Sequence, residues 1–477
     1  MSPVTLTERL AVLRAARRFT PEVLDAFGRF LNDAPEESLF RANPLVYAQE
    51  QGLPERLAID LFLYATQAGI LGFTWGVLCP NCAAFLLTLP GLRNLALRDC
   101  SLCGISVRPD DDNVEVAFTV ESTVRHLRFH ELESLDFRRD GLRVSFSSNR
   151  RVPAQMSRLF DSFAASIMSI EKVSPGETVE RVLELSEGVY DVWAPAHHAW
   201  CHFNVQRGSG AHEQSLELFD GRFMPKTFNV EPGHVTFRLS NRGARPVVCG
   251  LARGLMPSRE QLVTMNLRDL RCTTTPYFTG KMLVTSETFR ELFHAESLPG
   301  ETGFEFKNLT VLFTDLKGST ELYGRVGDFR AYGLVREHFE HLRNIIAVRG
   351  GSMVKTIGDA VMASFAEPVS ALRAASEMNQ AMERLVRDGE RLVLKIGLHT
   401  GPCIAVDLND RLDYFGQTVN LAARVQGAAE ANEIVCTEAV FSSPGVQEFI
   451  SSLALSVRRE TALLKGVEGA VTLFRLK

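Results

Sequence analysis

The chain has 477 residues, room for about three domains of ~150 residues each. Its 45% hydrophobic and 23% charged residues suit a globular protein with buried cores, and a net charge of −5 argues against a broadly basic, nucleic-acid-binding surface. The N-terminal MSPVTLTERLAVLRAARRF lacks a continuous apolar run, so no secretory leader is expected and a cytoplasmic location is.

In chain order, residues 1–70 read as a helical N-terminal region, with EVLDAFGRFL and ERLAIDLFLYATQAGIL spacing apolar residues by three and four and with Pro44 and Pro54 breaking the pattern. Leu61–Cys79 carries no charge over 19 positions, just enough to span a bilayer. Its Thr66, Gln67, Gly69 and Gly72, and the alternation in GFTWGVLC, predict instead a buried helix followed by a strand, so no membrane span is expected. Residues 71–120 form a segment of short strands around two cysteine pairs, Cys79 with Cys82 and Cys100 with Cys103. Residues 121–265 are strand-rich (LRVSFSS, ERVLEL, GVYDVWA, AWCHFNVQ, SLELF, KTFNV, HVTFRLSN, PVVCGLAR) and predict a β-sandwich-like regulatory domain. Residues 266–304 read as a linker with a coupling helix at 286–297, whose Phe289, Leu292 and Phe293 fall on one face and are expected to pair across a dimer axis. Residues 305–477 alternate strand and helix, making the chain α+β and multidomain.

Three blocks in the last third carry chemistry. In LTVLFTDLKGST an apolar strand ends in Asp315, followed by Gly318 and a Ser-Thr pair that opens a helix. That layout delivers a carboxylate and free backbone N–H groups to one point, as a metal-bound polyphosphate requires. VKTIGDAVMASF adds Asp359 between two further strands, and two carboxylates at neighbouring strand ends suit two-metal phosphoryl chemistry. LDYFGQTVNLAARV adds Asp413, with Asn420 and Arg424 four apart on one helical face.

These blocks, in this order, resemble the catalytic domain of the class III nucleotide cyclases over 305–477. The resemblance implies a ferredoxin-like βαββαβ core with additions. It implies two magnesium or manganese ions per site, held by Asp315, Asp359 and the Leu316 carbonyl, with the backbone of Lys317, Gly318, Ser319 and Thr320 facing the β- and γ-phosphates. Lys355 and Asp413 correspond to the base-reading pair. A lysine donor and a carboxylate acceptor complement N1 and N6 of adenine, whereas guanine reverses both polarities, so ATP is the expected substrate. Asn420 would orient the ribose, Arg424 would stabilise the pentacovalent phosphorus, and Lys465 would grip the triphosphate. His399 reads as a packed histidine. The family builds each site at a homodimer interface, the metal aspartates from one chain and the other side chains from its partner. The implied activity is an adenylate cyclase making cyclic AMP and pyrophosphate. A guanylate or dual-specificity cyclase remains an alternative, as does a zinc-dependent scaffold whose cyclase-like domain only dimerises.

The spacing C-x2-C-x17-C-x2-C matches a zinc ribbon, with four thiolates for one structural zinc. A ribbon before a β domain resembles the regulatory half that precedes some bacterial cyclase domains, which implies an unidentified regulatory ligand or protein. The remaining thiols, among them Cys201, Cys249, Cys272, Cys403 and Cys436, read as inert and buried. The cluster Arg138, Arg139, Arg143, Arg150 and Arg151 reads as a solvated face, and His197, His198, His202 and Cys201 lack the methionine loop of a copper site.

Overall fold

The structure is a computed structural model that describes residues 6–89, 97–100, 103–110, 113–151, 165–219, 221–254, 273–293, 304–387, 390–407 and 412–477. Two compact units are present. One comprises Met1–Pro90, Leu95–Pro109 and Asn113–Phe278, and the other Thr279–Lys477 with the short segments 91–94 and 110–112.

The first unit begins with helices Leu6–Ala15, Pro21–Asp33, Glu36–Leu39, Pro44–Gln51 and Glu55–Gln67. Pro44 and Pro54 start helices here, with Asn43 capping the first of them by accepting from the Leu45 N–H at 2.9 Å. Phe27, Tyr47, Phe62 and Phe118 are buried in one cluster, Phe62 edge-on to Phe118 at 5.3 Å, so that strand Val114–Val120 closes the helical layer. Burial of each such ring contributes roughly 2 kcal/mol. The stretch 61–79 is the end of helix Glu55–Gln67 followed by strand Leu71–Leu78, as its pattern predicts. No described helix is long and apolar enough to cross a membrane.

Farther along, a five-stranded sheet (ordered 227–230, 199–205, 188–194, 247–253, 167–173) and a four-stranded sheet (222–224, 213–219, 233–241, 178–185) share one core. Val192, Phe203 and Cys249 from the first sheet meet Leu216, Val235 and Phe237 from the second. One predicted strand is wrong: most of LRVSFSS belongs to helix Phe137–Ser145. The Asp136 carboxylate accepts from the N–H groups of Arg138 and Arg139, and this cap outweighs the short alternation that suggested a strand. The arginines near it are not a purely solvated face either. Arg138 donates to the Ile167 carbonyl, Arg139 pairs with buried Asp140, and Arg143 donates to the Glu37 carbonyl, with burial pushing the Arg143 guanidinium below its ordinary range.

The second unit opens with α1 (Gly280–Val284) and α2 (Glu287–Leu292). Then follow β1 (Phe304–Leu316), α3 (Ser319–Val326), α4 (Asp328–Val348), β2 (Gly351–Ile357), β3 (Ala360–Phe365), α5 (Pro368–Arg384) and β4 (Leu394–Asp407). After these come β5 (Leu412–Phe415), α6 (Gln417–Gly427), β6 (Glu433–Thr437), α7 (Glu438–Phe441), α8 (Val446–Ser452), β7 (Val457–Leu463) and β8 (Ala470–Leu476). The eight-stranded sheet runs β2-β3-β1-β4-β6-β8-β7, with β5 paired to β4. Its β2-β3-β1-β4 portion, with β1 antiparallel to both neighbours, is the expected βαββαβ core.

Alternation along β6 shows both faces covered. Ile434 and Cys436 join the core under α4 and α5, while Val435 joins Val425 of α6 and Ala429 just beyond it on the other side. Gly397 sets how closely α6 lies on β4: a Cβ there would stand 2.1 Å from the Gln426 backbone nitrogen. Gly397→Ala is therefore expected to lower the urea midpoint of the full chain, by about 1–3 kcal/mol of overpacking, with an unchanged midpoint showing that α6 yields freely.

The predicted coupling helix is described in part, and one of its residues is corrected. Positions 294–297 lie outside the described residues, and the described helix spans Glu287–Leu292. Phe289 is buried and stacked on Phe293 at 5.4 Å within the chain, so its ring is not free to pair across an axis.

Candidate functional site

Asp315 and Asp359 stand at one end of the sheet because of the β1–β3 register. The last pair of that ladder is Thr314 with Val361, and the two aspartates lie just beyond it on either strand. Buried Thr314 fixes this end through its Oγ1, which accepts from the Val361 N–H at 3.3 Å. Asp359 sits in a two-residue turn with Gly358 at φ 64°, the left-handed backbone this hairpin needs at its first position. Its Oδ2 is buried without a hydrogen-bond partner among the described residues, an arrangement that a bound cation would satisfy. Asp315 Oδ2 carries a cation already: Lys395 Nζ lies 2.7 Å away, from the directly opposed position on β4. Sequence reasoning missed Lys395, and also missed His338 on α4. The His338 imidazole is buried near Asp359 and pushed down to about 4, chiefly by burial.

The turn after Asp315 differs in part from expectation. The Lys317 N–H donates to the Val393 carbonyl at 2.8 Å, so it is already engaged. Gly318, at φ 70°, is the residue that caps α3, and Ser319 is its first helical residue. The first helical bond runs from the Leu322 N–H to the Gly318 carbonyl, which leaves the N–H groups of Gly318, Ser319 and Thr320 at the helix N-terminus, where anions are favoured.

Lys355 on β2 and Asp413 on β5 meet directly, Nζ to Oδ2 at 2.6 Å, the carboxylate buried and the ammonium half exposed. Asp413 Oδ1 accepts from the Tyr414 N–H at 2.8 Å, which locks the carboxylate. Helix α2 braces both strands beside this pair. Arg290 donates to the carbonyls of Val354 and Leu412, at 3.4 and 2.5 Å, and Glu287 accepts from the Met353 N–H at 2.7 Å while pairing with Arg343. Asn420 and Arg424 occupy the exposed side of α6, and Lys465 stands exposed between β7 and β8; the single chain does not bring these three onto the aspartates through any contact among the described residues. His399 is packed, Nδ1 2.8 Å from Thr437 Oγ1, and burial pushes its imidazole down to about 4.

In the first unit, two hairpins, Leu71–Leu78 with Phe85–Leu89 and Arg98–Cys100 with Ile105–Val107, carry the cysteine pairs at their turns. The turns are alike. Ala83 at φ 54° donates to the Cys79 carbonyl, and Gly104 at φ 65° donates to the Cys100 carbonyl, each at 2.8 Å. The sulfurs of Cys79, Cys82, Cys100 and Cys103 lie within 4.8 Å of one another and are unbridged. Cys82 and Cys100 are 3.7 Å apart, against about 3.8 Å between sulfurs on a tetrahedral zinc. The cluster could hold a metal ion, and among the described residues it is the sole such group of histidine, cysteine or acidic side chains. The histidines near Trp200 do not gather around Cys201: His202 pairs with Asp191, and Cys201 is buried with its thiol pushed up to about 12. Cys249, Cys403 and Cys436 are buried as expected, and Cys272 lies outside the described residues.

Comparison with known proteins adds two families. Residues 5–291 match a family of unknown function (DUF5939), and residues 303–477 match the adenylate and guanylate cyclase catalytic domain. An adenylate cyclase of Anabaena cylindrica is 28% identical over 188 residues, covering 36% of this chain and 37% of that protein. A receptor-type adenylate cyclase of Trypanosoma congolense is 28% identical over 29% of this chain and 24% of its own length. Guanylate cyclase 32E of Drosophila melanogaster is 29% identical over 28% of this chain and 13% of its own length. The chain thus spans well under half of each of these curated relatives. A solved structure of adenylate cyclases from Trypanosoma brucei in their monomeric state aligns at 26% identity and a TM-score of 0.32, over 38% of this chain and 92% of that one. By these matches the chain belongs to the family of unknown function over most of its length, and its C-terminal third is a class III adenylate/guanylate cyclase catalytic domain.

Proposed function

We propose that the protein is an adenylate cyclase that converts ATP into 3′,5′-cyclic AMP and pyrophosphate at a homodimer interface, under regulation by its N-terminal half. The observation that carries this reading is the Lys355–Asp413 pair, a donor and an acceptor held side by side. An ammonium has three N–H donors, so Lys355 can keep one on Asp413 and give another to adenine N1 while Asp413 accepts from N6. Guanine would face donor with donor and acceptor with acceptor, and unpaired groups in a desolvated site are costly.

Two divalent cations, magnesium or manganese, held by Asp315, Asp359 and the Leu316 carbonyl, would supply activation of the ribose 3′-hydroxyl and neutralisation of phosphate charge. The chain's own groups do the rest. Gly318, Ser319 and Thr320 offer backbone N–H groups to the outer phosphates, and Lys465 adds a mobile charge there. Asn420 orients the ribose, and the Arg424 guanidinium offers fixed charge where the transferring phosphate becomes most negative. Dimerisation is supported by apolar side chains bordering the base-reading pair: Ile357 and Phe415, each two residues from a member of the pair, are 51% and 52% exposed. Turnover of ATP and of GTP by the full chain with manganese tests the reading. GTP preferred over ATP would make it a guanylate cyclase, and turnover of neither would leave a scaffold.

The bracing by α2 predicts a separate effect. Arg290→Ala is expected to raise the KM for ATP several-fold and to erode preference over GTP, with metal dependence unchanged. Unaltered KM and preference would reduce α2 to a spacer.

For the cysteine cluster we propose one structural zinc per chain. Cys79→Ser is expected to lose it by metal analysis and to lower the unfolding temperature of the full chain, since structural zinc binding is worth on the order of 10 kcal/mol to a small site. Chelator-free protein without zinc would refute the assignment.

A further inference from the structure

Beside the cysteine cluster, a cavity of about 180 Å³ opens between strand Phe85–Leu89, strand Arg98–Cys100, the turn at Pro195–His197 and the start of strand Arg222–Met224. Its lining carries Arg98, Arg222 and Lys226 against one carboxylate, Asp99. That carboxylate is already engaged, accepting from Ser106 Oγ at 2.7 Å and pairing with Lys226 at 3.1 Å. Among the described lining residues, three cationic side chains stand with a single carboxylate.

Two histidines complete the wall. The Nδ1 atoms of His197 and His198 are buried without a hydrogen-bond partner among the described residues. His198 Nε2 lies 3.1 Å from Thr88 Oγ1. With the Thr88 hydroxyl donating to Nε2, the neutral His198 ring carries its proton on Nδ1, a donor lacking an acceptor among the described residues. Its backbone is held at φ 51°, an unfavourable conformation for a residue with a Cβ, and such positions gather at binding sites. Burial, and then nearby Arg245 and Arg41, hold His197 and His198 respectively below the usual imidazole range, so both rings are neutral in a cationic surrounding.

We propose that this cavity is a binding site for a small oxyanion, the phosphate or carboxylate group of a metabolite, with Arg98, Arg222 and Lys226 supplying charge and the two histidines supplying ring N–H donors. The arginines offer the planar donor fork that both groups fit. The strand that presents Arg98 ends on Cys100, so ligand and cysteine cluster share one hairpin. The proposal does not depend on the cyclase reading, because binding is measured without turnover.

Isothermal titration of the full chain at constant ionic strength tests it, with inorganic phosphate and citrate as separate probes. Saturable binding is expected for at least one probe, and the preferred probe tells phosphate from carboxylate. Arg222→Glu should weaken it by about tenfold or more, since reversal places a like charge against the anion. Lys226→Glu gives the same reading if Arg222→Glu impairs folding. Arg207→Glu, an exposed reversal outside the cavity, should leave binding unchanged. No saturable binding of either probe, or equal weakening by Arg207→Glu, would overturn the site.

Discussion

Asp315→Ala and Arg424→Ala proteins, each inactive alone, are expected to regain activity when mixed. In the proposed dimer one site takes Asp315 and Asp359 from one chain, and Lys355, Asp413, Asn420 and Arg424 from the other. A mixed dimer then places both defects in one site and leaves its second site whole. Random exchange of subunits with independent sites gives roughly a quarter of wild-type activity. Each single loss should be large. Removing a group aimed at transition-state charge costs about 3–4 kcal/mol, a factor of ~10²–10³ in turnover, and Asp315→Ala also takes from Lys395 the carboxylate it pairs with. The exposed position of Asn420 and Arg424 on α6 is what motivates the test. Mixed dimers shown to form yet showing no recovery would put all six residues to work within one chain.

The second large effect concerns the base. Lys355→Glu together with Asp413→Cys is expected to cut ATP turnover about a hundredfold or more and to raise relative use of GTP, by reversing the donor–acceptor order. The two changes should not add. Lys355→Glu alone sets a second carboxylate against buried Asp413, so it should harm stability as well as catalysis, and Asp413→Cys should relieve part of that harm. ATP preference surviving in the double variant would mean that the base is read elsewhere.

Sequence made the catalytic unit legible where function is written in contiguous residues. An apolar strand broken by Asp315 and Gly318, and the short turn at Asp359, are local signals that the register simply brings together. Lys395 was invisible for the opposite reason: its role depends on facing Asp315 across a ladder between distant strands, which no local pattern encodes. The cysteine spacing fixed the grouping of four sulfurs, since each pair already shares one tight turn. Phe289 misled because apolar periodicity shows that a face is covered but not by what. The segment around Leu142 misled because a short alternating run fits strand and helix alike, and the deciding Asp136 cap lies before it.

The bracing of β2 and β5 by α2 also fixes where this chain can be divided. A fragment begun at residue 303, where the catalytic-domain match starts, would discard Glu287 and Arg290. The Met353 N–H and the carbonyls of Val354 and Leu412 would lose their partners beside the Lys355–Asp413 pair. Rates and nucleotide preferences measured on such a fragment would describe the excision and not the enzyme. A cut that keeps this bracing with the catalytic unit falls upstream of Thr279.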